Sequence, residues 1–517
     1  MKTGNNAWPA NKTSDTGVEK IRHVPVVRRV VGERIEGEMR MQRRSFLKIA
    51  GLGAAAFAFD ARAPLAAPLV RSKGSTSNGA EHGRQPNIIY ILADDLGYGH
   101  LGCYGQKEIK TPNLDRMAAE GMRFTDHYAG SALCAPSRCV LMTGLHTGHC
   151  FIRNNKALPV EGNVPIPADS QTIAKLLKKA GYATACIGKW GLGYPGSEGD
   201  PNNQGFDHFF GYNCQRQAHS YYPDHLWRND KKVILEGNLG GAKKDYSHDL
   251  LTAEALTFIR RNRTGPFLLY LPYTIPHAAF QVPDLGIYAD KRWPEVKKAI
   301  AAMISRMDRD VGRILDLLRE LAAEQNTLVI FASDNGCAGG ALLEEFNGSG
   351  PLRGRKSTLY EGGIRAPMIA RWPGKIPPGT VSDQICAFED MMPTFAELAG
   401  VPVPEPTDGV SILPTLLARG EQRQHEYLYW ELRNDRAVRV GNWKAVQTNT
   451  GLELFNLRED LAEKNNVAAQ HPEMVEKTRA IIEMAHRDSP FFGWKYEGSV
   501  LEEKPRKSKK DRKSPKQ

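Results

Sequence analysis

Short apolar runs that stop abruptly at charged or amide residues punctuate the first two thirds of this chain. Asn87-Ile-Ile-Tyr-Ile-Leu ends at Ala93-Asp94-Asp95, and Tyr182–Ile187 runs into Gly188-Lys189. Phe267–Leu271 ends near Pro276-His277, and Thr327–Ala332 stops at Ser333-Asp334-Asn335. Apolar runs of this length are the pattern of strands buried on both faces. Between them lie segments with helical spacing. Thr111–Gly121 has proline near its start and glycine at its end, which suits helix termini. Ser170 is placed to cap a helix over Gln171–Ala180, with Ile173, Leu176, Leu177 and Ala180 on one face. Residues 297–323 carry the clearest amphipathic stripe: Ile300, Ile304, Met307, Val311, Ile314, Leu315, Leu318 and Leu321. The alternation predicts an α/β fold, with a large domain over residues 86–420 built on a mixed, mostly parallel sheet flanked by helices.

After about residue 420 the pattern changes. Glu426-Tyr-Leu-Tyr-Trp-Glu, Arg436-Ala-Val-Arg-Val, Trp443-Lys-Ala-Val and Leu452-Glu-Leu-Phe are short runs separated by turns. A helical stretch, Pro472–His486, follows. These features predict a small C-terminal antiparallel sheet with one packed helix, over residues 421–490. Residues 72–85, polar with glycine and serine, read as a linker.

The chain has 517 residues, long enough to bury a large core. Its net charge of +11 would point to nucleic acid, but residues 1–71 carry +7 and residues 502–517 carry +5. The body is left at −1, so no nucleic-acid partner is expected. Residues 502–517 read as a basic, disordered tail. Residues 1–40 read as an extended or mis-assigned leader, with Met39 or Met41 as better starts. Residues 41–67 look like a twin-arginine signal peptide built on Gln42-Arg43-Arg44-Ser45-Phe46-Leu47-Lys48. The apolar run Ile49–Phe59 is too short to span a bilayer. Ala61-Arg62-Ala63, or Ala67, offers a cleavage site. This reading implies the Tat translocase as a partner, a periplasmic or extracellular location and no transmembrane span. Eight cysteines in so long a chain do not make a dense disulfide scaffold.

The pairs Asp94-Asp95 and Asp334-Asn335 stand where two strands end. In open α/β sheets ligands gather at the carboxyl ends of strands. Each pair alone would fit an ordinary turn. Together, three carboxylates and an amide oxygen call for a hard cation, Ca²⁺ more readily than Mg²⁺. Zinc is disfavoured because no His or Cys stands beside the pairs in sequence.

Between them lies Cys134-Ala-Pro-Ser-Arg138, followed by Cys-Val-Leu-Met-Thr143-Gly144. This stretch resembles the signature of the type I, formylglycine-dependent sulfatases of the alkaline phosphatase superfamily, which include arylsulfatase A-like and carbohydrate sulfatases. The resemblance runs from about Asn87 to Val467 and implies an alkaline-phosphatase-like catalytic domain. It implies that a formylglycine-generating or radical maturation enzyme oxidises Cys134 to formylglycine (3-oxoalanine), the nucleophile. One cation would be held by Asp94, Asp95, Asp334, Asn335 and the modified residue 134. Arg138 would hold the formylglycine, Lys189 and Lys356 would bind sulfate, and His277 would face the leaving group. On this scheme the hydrated aldehyde attacks sulfur, Asp334 accepts a proton, and His277 protonates the departing alcohol. The second hydroxyl then expels sulfate.

One position departs from the family pattern. Gly188-Lys-Trp-Gly-Leu-Gly193 has Gly191 where the family has histidine. His219, in Gln217-Ala-His-Ser-Tyr-Tyr-Pro223, is expected to refill the space; a surface or substrate-pocket place is the alternative. His146 and His149 are assigned packing or supporting roles. The run Tyr221–Trp227 suits either sugar stacking or core packing. The expected function is hydrolysis of sulfate monoesters on a sulfated carbohydrate or aryl alcohol. Two other readings stay open: a phosphonate or phosphate ester hydrolase, and an inactive protein that binds sulfated glycans.

Overall fold

The computed structural model describes residues 85–489, 491 and 492. The expected leader, signal peptide and basic tail lie outside the described residues. A ten-stranded sheet organises the large domain, in the order Thr380–Ser382, Met122–Phe124, Met368–Arg371, Thr327–Ser333, Asn87–Ala93, Phe267–Pro272, Ala183–Lys189, His208–Tyr212, His225–Arg228 and Lys231–Ile234. The five central strands, Thr327–Ser333 through His208–Tyr212, are parallel. Antiparallel neighbours flank them on both sides. Both faces are covered. Ile89 and Ile91 pack under the helices Glu295–Glu320 and Ser247–Arg261. Ile88, Tyr90 and Leu92 pack under Cys134–Thr143, Ile173–Lys179 and Met391–Ala399. That two-sided burial is why these strands read as unbroken apolar runs.

The helix expected after Ser170 starts later. It spans Ile173–Lys179, and its cap is Thr172, whose hydroxyl accepts from Lys175 N at 3.1 Å. Ser170 lies too far upstream to reach the orphan amides of the first turn.

A separate four-stranded antiparallel sheet, Leu428–Leu432, Asp435–Val440, Trp443–Thr448 and Gly451–Asn456, carries the helix Pro472–Ala485 on one face through Tyr429, Val438, Ile481 and Ile482. Its other face (Leu428, Trp430, Ala437, Val446, Phe455) packs on Ala132, Leu133, Leu359 and Ile364. The small sheet thus buttresses the residues just before Cys134 and just after Lys356. Among the described residues no helix is long and apolar enough to cross a membrane.

Candidate active site

The parallel strands deliver chemistry at one edge. Adjacent strands Thr327–Ser333, Asn87–Ala93 and Phe267–Pro272 run directly into Asp334-Asn335, Asp94-Asp95 and the segment ending at His277, while Lys189 closes the next strand. Cys134 is the first residue of Cys134–Thr143, a helix whose ten residues are all buried. Its position places the side chain at the positive end of the helix dipole. The next amide, Ala135 N, donates to Asn155 Oδ1 at 3.0 Å. Asp95 adopts φ 68°, the left-handed region a non-glycine residue rarely enters, and strain of this kind concentrates at functional sites.

The side chains converge. Cys134 Sγ lies 3.5 Å from Asp94 Oδ1 and 3.3 Å from Lys356 Nζ. Each carboxylate has a cationic partner: Lys189 Nζ is 2.6 Å from Asp94, Lys356 Nζ is 2.6 Å from Asp95, and Arg138 reaches Asp334 at 2.7 Å. Arg138 also donates to the Lys189 carbonyl at 2.8 Å, tying nucleophile helix to strand end. His277 Nε2 sits 3.4 Å from Asp95, and Tyr221, buried in the core, donates its hydroxyl to the His277 carbonyl at 2.5 Å. Tyr221 therefore packs and positions rather than stacks on a sugar.

Burial and charge pull against each other here. Burial alone would raise the Asp94 carboxyl, yet Lys189, His277, Arg138 and Lys356 hold it well below the usual carboxylate range. Asp95 is also lowered, by Lys356 and His277 against its burial. Asp334 goes the other way, raised by burial and by Asp94 despite Arg138. Burial pushes the Cys134 thiol up to about 12 even with two lysines nearby, so the unmodified residue is a poor nucleophile at neutral pH.

Ligand atoms of Asp94, Asp95, Cys134 and His277 lie within 4.8 Å of one another, a spacing that suits a metal ion. Asn335 strengthens the fit. Its Nδ2 donates to Asp95 Oδ1 and to the Gly336 carbonyl, both at 2.8 Å, which fixes the amide orientation. Its buried Oδ1 is left without a hydrogen-bond partner, a cost that a cation would remove. A thiol and an imidazole do join the carboxylates in space, so the argument against zinc from sequence neighbours does not hold. The preference for a hard ion rests instead on the oxygens of Asp94, Asp95, Asp334 and Asn335.

Every expected site residue is gathered here except that His219 arrives by another route. Its ring stacks on His277 with centroids 4.1 Å apart, and burial followed by the His277 charge pushes it down to about 4. The side chain beside Gly191 belongs to Gln215, not to His219. No sequence motif singled out Gln215. His149 bonds Asp408 at 2.9 Å and stacks on His146, away from the thiol.

Carboxylates and fixed cations around a helix-borne nucleophile position, at the carboxyl edge of a parallel sheet, define a hydrolase of anionic esters. The comparisons with known proteins narrow the class. A model described as Sulfatase matches residues 86–401, and one for the C-terminal region of N-sulphoglucosamine sulphohydrolase matches residues 355–487. N-acetylgalactosamine-6-sulfatase of Rattus norvegicus is 36% identical over 403 residues, 73% of this chain and 74% of that protein. Arylsulfatase A of Homo sapiens is 35% identical over 393 residues, 70% and 75% of the two chains. The crystal structure of Ps i-CgsB in complex with k-i-k-neocarrahexaose matches with a TM-score of 0.69 at 32% identity, covering 78% of this chain and 93% of that one. The chain belongs to the sulfatase family and is a sulfuric ester hydrolase.

Proposed function

We propose that the protein removes sulfate from sulfated carbohydrates, using Cys134 after its oxidation to formylglycine and one divalent cation, Ca²⁺ ahead of Mg²⁺. The observation that carries this reading is Cys134 at a helix head, 3.3 Å from Lys356 and 3.5 Å from Asp94. Asp94, Asp95, Asp334 and Asn335 would hold the cation, which when bound supplies Lewis-acid charge to the sulfuryl oxygens. Once oxidised and hydrated, residue 134 would supply one hydroxyl as the nucleophile towards sulfur and a second for the release of sulfate.

The chain's own residues do the rest. Arg138 keeps Asp334 in place with two hydrogen bonds, at 3.1 and 2.7 Å. Lys189 and Lys356 offer preorganised positive charge to the sulfuryl group, whose charge shifts to the bridging oxygen as the bond breaks. Asp334, buried beside Asp94 and held by Arg138, is placed to accept the attacking hydroxyl's proton. His277, partly exposed at the mouth, gives a proton to the departing sugar oxygen. A carbohydrate substrate is supported by the amino-sugar sulfatase relatives and by the neocarrahexaose complex of the structural neighbour. Export by the twin-arginine route, to the periplasm or beyond, would place the enzyme where such glycans are met.

Peptide mass spectrometry across Cys134, on protein from its native host, tests the nucleophile: a loss of about 18 Da is expected. Turnover of sulfated sugars should exceed turnover of phosphate monoesters, diesters and phosphonates. An unmodified cysteine in folded protein, or a preference for phosphorus esters, would overturn the proposal.

A further inference from the structure

We infer that Gln215 is a sulfuryl-binding residue of this site, its amide NH₂ donating to a sulfate oxygen from the ground that a side chain at position 191 would occupy. The inference rests on the sulfatase reading and deepens it. Gly191 lies two residues beyond Lys189, with φ +82°. A Cβ built there would stand 3.0 Å from both Cγ and Nε2 of Gln215. An imidazole at 191 and this amide therefore compete for one space, and here the amide holds it.

The amide's orientation is set by its neighbours. Gln215 is 6% exposed. Its backbone N donates to Asn163 Oδ1 at 3.1 Å, and its Oε1 accepts from Asn163 Nδ2 at 3.4 Å. With the oxygen turned to Asn163, Nε2 is buried without any protein acceptor. A buried donor is seldom left unmet, so its acceptor is expected to come with a ligand. The same loop is anchored to the site four residues on, where His219 stacks on His277. The ligand chemistry that completes the amide is an anionic oxygen, which the sulfuryl group carries.

A consequence for the reaction follows from the functional group. A carboxamide donates and accepts hydrogen bonds but neither takes nor releases a proton near neutrality. Gln215 thus contributes binding of the sulfuryl oxygens, and the base that assists sulfate release comes from another residue.

Inorganic sulfate is the probe, as product inhibitor of the matured enzyme and as a thermal-shift ligand. Gln215→Met keeps the length and removes the donor; sulfate inhibition and kcat/KM should each weaken about tenfold. Gln215→Glu keeps the shape and sets a carboxylate against the sulfate; losses of about a hundredfold or more are expected. Gln215→Met should keep the wild-type Tm without sulfate, whereas Gln215→Glu is expected to lower it because it buries an unpaired carboxylate. Gln215→His should retain sulfate inhibition and add an inflection to the kcat–pH profile that the wild type lacks. Wild-type sulfate inhibition in Gln215→Met would overturn the inference and leave the sulfatase reading standing. Equal losses in all three variants, with lowered Tm, would reduce Gln215 to a packing residue. A wild type that is indifferent to sulfate esters and to inorganic sulfate would take down both readings.

Discussion

Mild acid should loosen the site through a residue that touches no substrate. His100 is fully buried five residues after Asp95. Its Nδ1 accepts from Gly97 N at 2.9 Å, and its Nε2 faces the Leu342 carbonyl at 2.9 Å. Only the neutral ring with its proton on Nε2 satisfies both contacts. A second proton would set N–H against N–H where water does not reach. Burial accordingly pushes His100 down from 6.5 to about 4, although the Leu342 carbonyl pulls it up. The folded value lies below the unfolded one, so the unfolded chain takes the proton first. The stability this residue supplies is complete above about pH 6.5 and is lost as pH falls towards 4. At about 1.4 kcal/mol per pH unit the whole loss is about 3 kcal/mol, of which about 2 kcal/mol has gone by pH 5. His100→Gln removes the titration. Urea unfolding of both proteins, followed by tryptophan fluorescence at about pH 7.5 and pH 5, gives the comparison. The wild type's advantage should shrink by about 2 kcal/mol at the lower pH. Parallel profiles would refute the argument. Activity should follow, because His100 and the Gly99 N to Gly348 O bond at 2.8 Å staple the loop after Asp95 to the segment that leads to Lys356.

Chelation of the divalent cation should lower Tm; at a hundredfold excess over Kd a bound ion contributes about 2.7 kcal/mol. Ca²⁺ should restore Tm better than Mg²⁺, and an unchanged Tm after chelation would count against the cation site. His277→Gln should cut kcat for a sulfated sugar by about 10² to 10⁴ and cost an aryl sulfate with an acidic phenol far less. Equal losses on both substrates would contradict a proton-donating role. Thr172→Val should cost about 1 kcal/mol by removing the helix cap, whereas Ser170→Ala should cost nothing measurable by thermal unfolding.

The sequence exposed those parts of the fold whose physics is local. The strands at Asn87, Phe267 and Thr327 are buried on both faces, so their apolar runs are unmistakable, and the pairs Asp94-Asp95 and Asp334-Asn335 that follow the first and last of them mark the sheet's carboxyl edge. The helix Glu295–Glu320 shows its stripe because one side faces water. The strand His208–Tyr212 escaped because only five residues carry its apolar run, and the hairpin His225–Arg228 with Lys231–Ile234 escaped, being short and half polar at the sheet's margin. The helix Met391–Ala399 escaped because it is buried along most of its length and has little polar face to set a period. At the site, residues inside motifs could be named from their neighbours in the chain. Gln215 could not: its place depends on the empty Cβ position of Gly191 and on Asn163, contacts that exist only after the chain has folded.

Under the formylglycine proposal, the burial of Cys134 sets a clock on the making of the enzyme. Only 2% of the residue is exposed, and its neighbours Ala132 and Leu133 lie under the C-terminal sheet. That cover includes Trp430, whose indole donates to the Ala129 carbonyl across 301 residues of chain. A ribosome adding about 5 to 20 residues per second needs roughly 15 to 60 s to cover that distance. During this interval the thiol is already synthesised while the sheet that will shelter its surroundings is not. On the proposal that Cys134 is oxidised to formylglycine, the oxidising enzyme would have to reach it before this cover closes, and the yield of active protein would become a race between modification and closure.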